Sequence, residues 1–284
     1  ALQQFAQARQ RMGVRLGRFF SLGNLIRFGV PLLVLAGAVA LRVAEPFLVE
    51  RGQLVVFDMY QRWKPRSYNP EAAVRIADVD DESLTRLGQW PWPRTMVAEL
   101  ISKLTEMGAA VVAFDIVFAE PDRTSPRQVL PLWPPTPEVE ALLQARDRLP
   151  DHDAVLAEAI GAGNVVLGFV LSEQPGGRKP KVGGTVAWGG DDPLPWIPVF
   201  RGAIANLPQL EAKAAGNGSF NMAPGLDGLV RRVPLVVRHG DRRDQTQVYT
   251  SLAVEALRVA QGARTVIGKT SGASGEASFG EDTG

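Results

Sequence analysis

A chain of 284 residues with 45% hydrophobic and 21% charged residues can bury one large domain or two small ones, and it is too apolar to stay disordered. Its 31 basic and 30 acidic residues leave a formal net charge of +1, which points neither to a nucleic-acid partner nor to a strongly acidic substrate. Having no cysteine excludes thiol catalysis, disulfides and cysteine-ligated metal centres, and two histidines are little material for a histidine metal site or a Ser-His-Asp triad. Both, His152 in "PDHD" and His239 in "RHGDRR", sit among polar neighbours and read as solvated loop residues.

Residues 1–24 carry Arg9, Arg11, Arg15 and Arg18, and no acidic residue precedes Glu45. This basic leader reads as an amphipathic segment on the inner surface of a membrane. Residues 25–44, "LIRFGVPLLVLAGAVALRVA", follow. Their uncharged centre is too short for the ~30 Å hydrocarbon core, but the whole stretch reaches about that length at ~1.5 Å per residue if Arg27 and Arg42 snorkel to the two interfaces. A transmembrane helix is expected. A cleaved signal peptide and a buried core helix share this composition, but no small-x-small site follows the run and the leader is long for a signal peptide. The arginine excess keeps the N-terminus cytoplasmic and places the rest outside, in a bacterium the periplasm.

After the span, "PFLVERGQLVVFDMYQRW" has helical spacing and ends before prolines, which predicts an entry helix. The β-branched run "AAVRIADVD" (72–80) predicts a buried strand. In "PWPRTMVAELISKLTEMGA" prolines bound the start of a helix, Met96, Leu100, Ile101 and Leu104 share a face, and Gly108 suits the C-terminal cap. "AAVVAFDIVF" (109–118) reads as a strand apolar on both faces. A proline-rich insert occupies 121–150, partly extended and partly a short helix. "DHDAVLAEAIGAG" then gives a helix and "NVVLGFVL" a third strand. Residues 175–198 are rich in Gly and Pro. "DGLVRRVPLVVRHG" reads as an edge strand that tolerates Pro234, and "QVYTSLAVEALRVAQG" as an amphipathic helix. The alternation predicts an α/β fold, a layered sheet with flanking helices and a right-handed crossover, over 45–268. Residues 269–284 have linker composition.

Asp78, Asp80, Asp81 and Glu82 lie where the first predicted strand meets a helix. If "VRIADV" and "VVAFDI" are parallel neighbours, Asp80, Asp81 and Asp115 approach one carboxyl edge, with Glu120 and Asp122 nearby, where open α/β sheets bind ligands. Oxygen ligands in that arrangement suit Mg²⁺ or Ca²⁺. Helix capping is the stronger reading, because an Asp followed by Glu82, Ser83 and Leu84 has the chemistry of a helix N-terminus. No nucleophile or histidine completes an acid–base pair. "GNGSFN" (216–221) lacks phosphate-loop spacing and reads as a turn. Arg231 and Arg232 read as partners of nearby acids. Trp90, Trp92, Trp133, Trp188 and Trp196 all adjoin proline or glycine, which suits loop packing or a ligand-facing surface.

Four blocks, "FDMYQRWKPR", "VRIADVDDESLTRLGQWPWPRTMVAELISKLTEMGAAVVAFDIVFAEPD", "NVVLGFVL" and "GSFNMAPGLDGLVRRVPLVVRHG…VYTSLAVEALR", in this order resemble the type-two CHASE domain. That is an extracellular sensory domain associated with bacterial adenylate and guanylate cyclases and histidine kinases. The resemblance implies a periplasmic sensor joined through membrane helices to a cyclase or kinase output, binding an unidentified periplasmic ligand and working as a dimer. It implies no cofactor and no catalysis by the domain itself. It also implies candidate ligand residues within the signature blocks: Asp80, Asp81, Glu82, Trp90, Trp92, Arg94 and Asp115. The family's further strand, membrane helices and output do not follow here, and the insert around Trp133 is long for it. The chain is therefore expected to be a fragment of a sensor or a shortened relative. An alternative is an accessory subunit that scaffolds a larger membrane complex through its periplasmic domain.

Overall fold

The computed structural model describes residues 25–44, 47–225, 227–240 and 246–271; the basic leader 1–24 and the tail from 272 lie outside the described residues. The chain divides into two compact units, Ala1–Asp78 and Val79–Gly284.

In the first unit a π-helical turn, Leu25–Gly29, leads into α1, Val30–Ala44. Pro31 falls in the first turn of α1, where its missing N–H costs no helical bond. The helical stretch Ile26–Ala44 is 19 residues, or roughly 28 Å at ~1.5 Å per residue, and none of it is buried. It is long and apolar enough to cross a membrane. The expected entry helix is α2, Phe47–Trp63, which stops just ahead of Pro65. The strand expected over 72–80 does not form. Val74 and Ile76 stand 79% and 89% exposed, and the Arg75 guanidinium curls back to the carbonyls of Pro70 and Ala72. That local closure competes with an extended ladder.

In the second unit the order is α3 (Asp81–Leu87), α4 (Arg94–Glu106), β1 (Val112–Phe114), α5 (Pro126–Val129), α6 (Pro137–Gln144), α7 (His152–Ala162), β2 (Val165–Ser172), β3 (Thr185–Gly189), β4 (Val199–Phe200), β5 (Gly202–Ile204), α8 (Pro208–Lys213), β6 (Gly216–Ser219), β7 (Val236–His239), β8 (Gln247–Thr250), α9 (Leu252–Ala260) and β9 (Thr265–Lys269). β2 is central. It pairs parallel with β1 from Val112↔Val165, parallel with β6 from Val166↔Gly216, and antiparallel with β5 from Val170↔Ile204. β4, β7 and β8 form a second sheet and β3 pairs parallel with β9 in a third.

The main core joins Val97, Ala98 and Ile101 of α4, Leu156 and Ile160 of α7, Phe114 and Phe118, Val165 and Leu167 of β2, and Leu210 of α8. Each large apolar side chain taken fully from water contributes about 1.5–3 kcal/mol, which is why α4 and α7 are fixed on β1 and β2. The buried face of α4 is centred on Val97, Ala98 and Ile101 rather than on Met96, Leu100 and Leu104, which are only half-buried. Gly108 follows the helix with φ 89°, the left-handed conformation expected of its cap.

Other expectations change too: the strand expected over 109–118 forms only as β1, Val112–Phe114. "GNGS" is no turn but β6, buried throughout. A Cβ at Gly216 would lie 2.4 Å from Glu255 Oε1 and one at Gly218 2.5 Å from the Leu252 backbone, so α9 packs straight onto a strand that only glycine allows. The edge strand expected over 227–240 shrinks to β7, which lies between β4 and β8. Pro234 has no N–H for a ladder, Gly228 turns with φ 78°, and Arg231 grips Asp227 through two hydrogen bonds of 2.9 and 2.6 Å. Finally, the helix expected over 247–262 begins only at Leu252, because Gln247–Thr250 pairs with β7 and Ser251 caps α9 by accepting from the Val254 N–H.

Candidate functional site

Asp80 is the N-cap of α3. Its Oδ1 accepts from the Ser83 N–H at 2.8 Å and the Ser83 hydroxyl at 2.6 Å, and these bonds hold its carboxyl below the usual range. Glu82 pairs with Arg86 one turn on, at 2.6 Å, on the exposed helix surface. Asp81 is exposed, and so is Asp115, on the bend just after β1. Among the described residues no group of three or more His, Asp and Glu side chains is placed to hold a metal ion. The acidic stretch thus takes its partners from its own helix.

The tryptophan segment behaves differently. Trp90 and Trp92 flank Pro91 and meet edge to face with centroids 5.7 Å apart. Trp92 is buried and donates its indole N–H to the Gly88 carbonyl at 2.8 Å, while Trp90 remains exposed. Two residues on, Arg94 opens α4 and is buried. Its guanidinium lies over the Phe118 ring at 4.4 Å, its Nε is 3.5 Å from Asp153 Oδ1, and Nη2 donates to the Glu120 carbonyl at 3.3 Å.

Arg94 belongs to a buried polar node that the sequence reading missed. Pro93, at the N-cap of α4, has no side-chain acceptor, and Asp122 supplies one from 28 residues away by accepting the Arg94 N–H at 2.8 Å. Asp122 also accepts from the N–H and hydroxyl of Thr124, both at 2.8 Å, and meets His152 Nδ1 at 3.1 Å. Burial works against its charge, but the donors outweigh it and hold the carboxyl below its ordinary value. The Asp122 N–H in turn donates to Asp153 Oδ2 at 2.9 Å. Asp153 is pushed upward, first by burial and further by Asp122 and Asp151, against the opposing pull of the Asp122 N–H and Arg94.

His152 is therefore not a solvated loop residue. It opens α7 with its side chain largely enclosed, and His239 is buried in β7. The Thr124 hydroxyl, at 3.4 Å, and the Asp122 carboxylate meet the same ring nitrogen of His152. A hydrolytic relay needs one partner on each nitrogen, so this grouping is a clasp and not a triad. It closes the neck of the proline-rich insert: Ser125 Oγ accepts the His152 N–H at 3.3 Å and donates to the Pro150 carbonyl at 3.4 Å.

Two further ion pairs lie against the 178–184 segment, and only the second has both partners buried. Glu211 accepts from Arg178 Nη2 at 2.8 Å and from the Lys181 N–H at 3.2 Å. Glu255 is fully enclosed with Arg258. The first pair neighbours Tyr249, whose hydroxyl donates to the Pro180 carbonyl at 2.9 Å and whose pKa is pushed up to about 12 by burial and then by the Glu211 charge.

Such residues are spent on internal order, and sequence comparison supplies the class: an extracellular sensory domain of signalling proteins, a kind that is generally non-catalytic. The match is to the CHASE2 domain over residues 31–281, nearly the whole chain, and the chain belongs to the CHASE2 domain family. No curated protein and no solved structure matches the chain.

Proposed function

We propose that this chain is the membrane-anchored input domain of a transmembrane signalling protein. In this reading α1 spans the inner membrane of a bacterium, the basic leader stays in the cytoplasm, and the α/β unit over residues 79–268 forms a layered sensor in the periplasm. The observation that carries it is a family match to a sensory domain that begins inside the apolar helix and runs on through the α/β unit. Arg27 and Arg42, at the two ends of the span, mark the interfaces.

The sensor acts through whatever its ligand favours, since a bound molecule shifts an equilibrium only by its differential affinity for two conformations. We place the ligand-facing surface on the exposed ring of Trp90, the carboxylates Asp80, Asp81, Glu82 and Asp115, and the loop that Trp92 and Arg94 fix from beneath. An adenylate or guanylate cyclase or a kinase on the same polypeptide is the output, and it operates as a dimer.

Gentle detergent extraction of native membranes, followed by sizing of the particle that holds this chain, tests the proposal. A homodimer of a longer polypeptide bearing a cyclase or kinase domain is the expected result. A fixed stoichiometric place in a large heteromeric complex would overturn it and make the domain an accessory scaffold.

A further inference from the structure

We infer that α2 is a second membrane-contacting element, lying along the outer surface of the bilayer with one apolar face sunk among the lipid headgroups. The inference rests on the reading of α1 as a span, and its test separates the two.

At ~100° per residue, Val49, Gly52, Val55, Val56, Met59, Tyr60 and Trp63 of α2 fall on one arc about 140° wide. Asp58 and Gln61 occupy the opposite face, and Arg51 and Arg62 flank the arc on one side. Phe47, Leu54 and Phe57 fall outside the arc, and the Arg51 guanidinium covers the Phe47 ring at 5.0 Å. The arc is open to its surroundings: Val55 is 66% and Trp63 71% exposed.

Four observations favour lipid over a second copy of the helix. Phe47 follows Ala44 by three residues, so the link spans at most ~11 Å and the first turn of α2 cannot leave the headgroup region of a bilayer crossed by α1. The arc is broad, as a planar surface requires, whereas a two-helix seam uses a narrower stripe. Gly52 lies near its centre with no atom within 4 Å of a would-be Cβ, leaving no knob where a seam needs one. Last, the arc ends in Tyr60 and Trp63, whose rings meet edge to face at 5.9 Å. Aromatic side chains with an apolar body and a polar atom favour the membrane–water boundary. Arg62 beside the arc suits a guanidinium held at the headgroups.

The absence of native cysteine makes the test clean. Single variants Leu35→Cys in α1, Val56→Cys and Met59→Cys on the arc, and Gln61→Cys opposite it are labelled with a polarity-sensitive fluorophore. The full chain is then placed in vesicles of phosphatidylethanolamine and phosphatidylglycerol containing either a shallow or a deep lipid quencher. The expected result is deep quenching at Leu35, loss of most emission to the shallow quencher with a blue shift at Val56 and Met59, and no quenching at Gln61. Deep quenching at Leu35 with no quenching at Val56 and Met59 would overturn the inference while leaving the span standing; self-quenching between labels would then show that a second copy covers the arc. No quenching at Leu35 would overturn the span and this inference with it.

Discussion

Glu255 and Arg258, three residues apart on α9, form a closed ion pair: Arg258 Nη2 lies 2.7 Å from Glu255 Oε1 and Nε 3.0 Å from Oε2. The Thr250 hydroxyl donates to Oε2 at 2.9 Å, and Arg258 donates onward to the carbonyls of Ala263 and Ala215. The hydrogen bond to the Glu255 carboxylate raises the Arg258 pKa further, so the guanidinium keeps its charge. The pair ties α9 to the residue just ahead of β6 and to the turn that follows the helix.

Removing one partner strands the other in the interior. Arg258→Met is expected to cost about 3–5 kcal/mol, and the double change Glu255→Leu with Arg258→Met to cost less than the sum of the singles. Urea denaturation of the purified chain in detergent, followed by tryptophan fluorescence, measures both. Equal and additive losses would show that the two side chains do not act as a pair.

The glycines of β6 are fixed by the same helix. Gly218→Ala forces a methyl to within 2.5 Å of the Leu252 backbone, which cannot swing aside, and is expected to destabilise by about 1–3 kcal/mol or more. Gly161→Ala on α7 meets only the flexible Lys213 side chain, at 3.2 Å, and is expected to gain about 0.5–1 kcal/mol from helix propensity. Opposite signs in the denaturation midpoints are the predicted result.

Tyr249 gives the fold a dependence on alkaline pH. Its folded pKa of about 12 is above its ordinary value near 10, so the folded state retains the proton more strongly. The stability contributed is fully present below the unfolded pKa and is lost as pH rises through the folded one. Wild-type chain should therefore lose stability between about pH 10 and 12, and Tyr249→Phe should flatten that loss while weakening the fold slightly at neutral pH by orphaning the Pro180 carbonyl. Melting temperatures across alkaline buffers provide the check.

Asp80 acts on α3 through its capping bonds. Asp80→Ala should speed amide exchange at Ser83 and through the first turn of α3, and Asp80→Ser should restore much of the protection, because a hydroxyl accepts the same N–H. Protection unchanged in the alanine variant would remove the cap as the reason for an aspartate here. The answer also bears on the ligand surface, since a residue committed to a cap is less free to meet a ligand.

The elements legible in the sequence are those whose signals are local. α4 and α7 carry helical periodicity and a terminal cue, Gly108 for one and the capping Asp151 for the other. β2 is a continuous apolar run, as a central parallel strand demands. β6 gave no such signal, because its identity as a strand comes from α9 pressing on glycines, a tertiary fact. β3 and β9, set among glycines and prolines, pair across 80 residues in register Thr185↔Thr265 and were hidden for the same reason. At the candidate site the prolines beside Trp90 and Trp92 mark the Trp90–Arg94 segment in the sequence, but the polar partners Asp122, His152 and Asp153 lie at the two ends of a long insert, and no spacing rule joins them. The signal available was the pair of acids bracketing the insert, next to one of only two histidines.

The most direct test of the central claim is the side of the membrane on which the α/β unit lies. Trp196, 89% exposed, is replaced by cysteine in the otherwise cysteine-free chain and treated with a membrane-impermeant maleimide in intact cells whose outer membrane has been permeabilised. Full labelling before lysis is the predicted result and places the unit outside the inner membrane. Labelling only after the inner membrane is broken would put the unit in the cytoplasm and contradict the account.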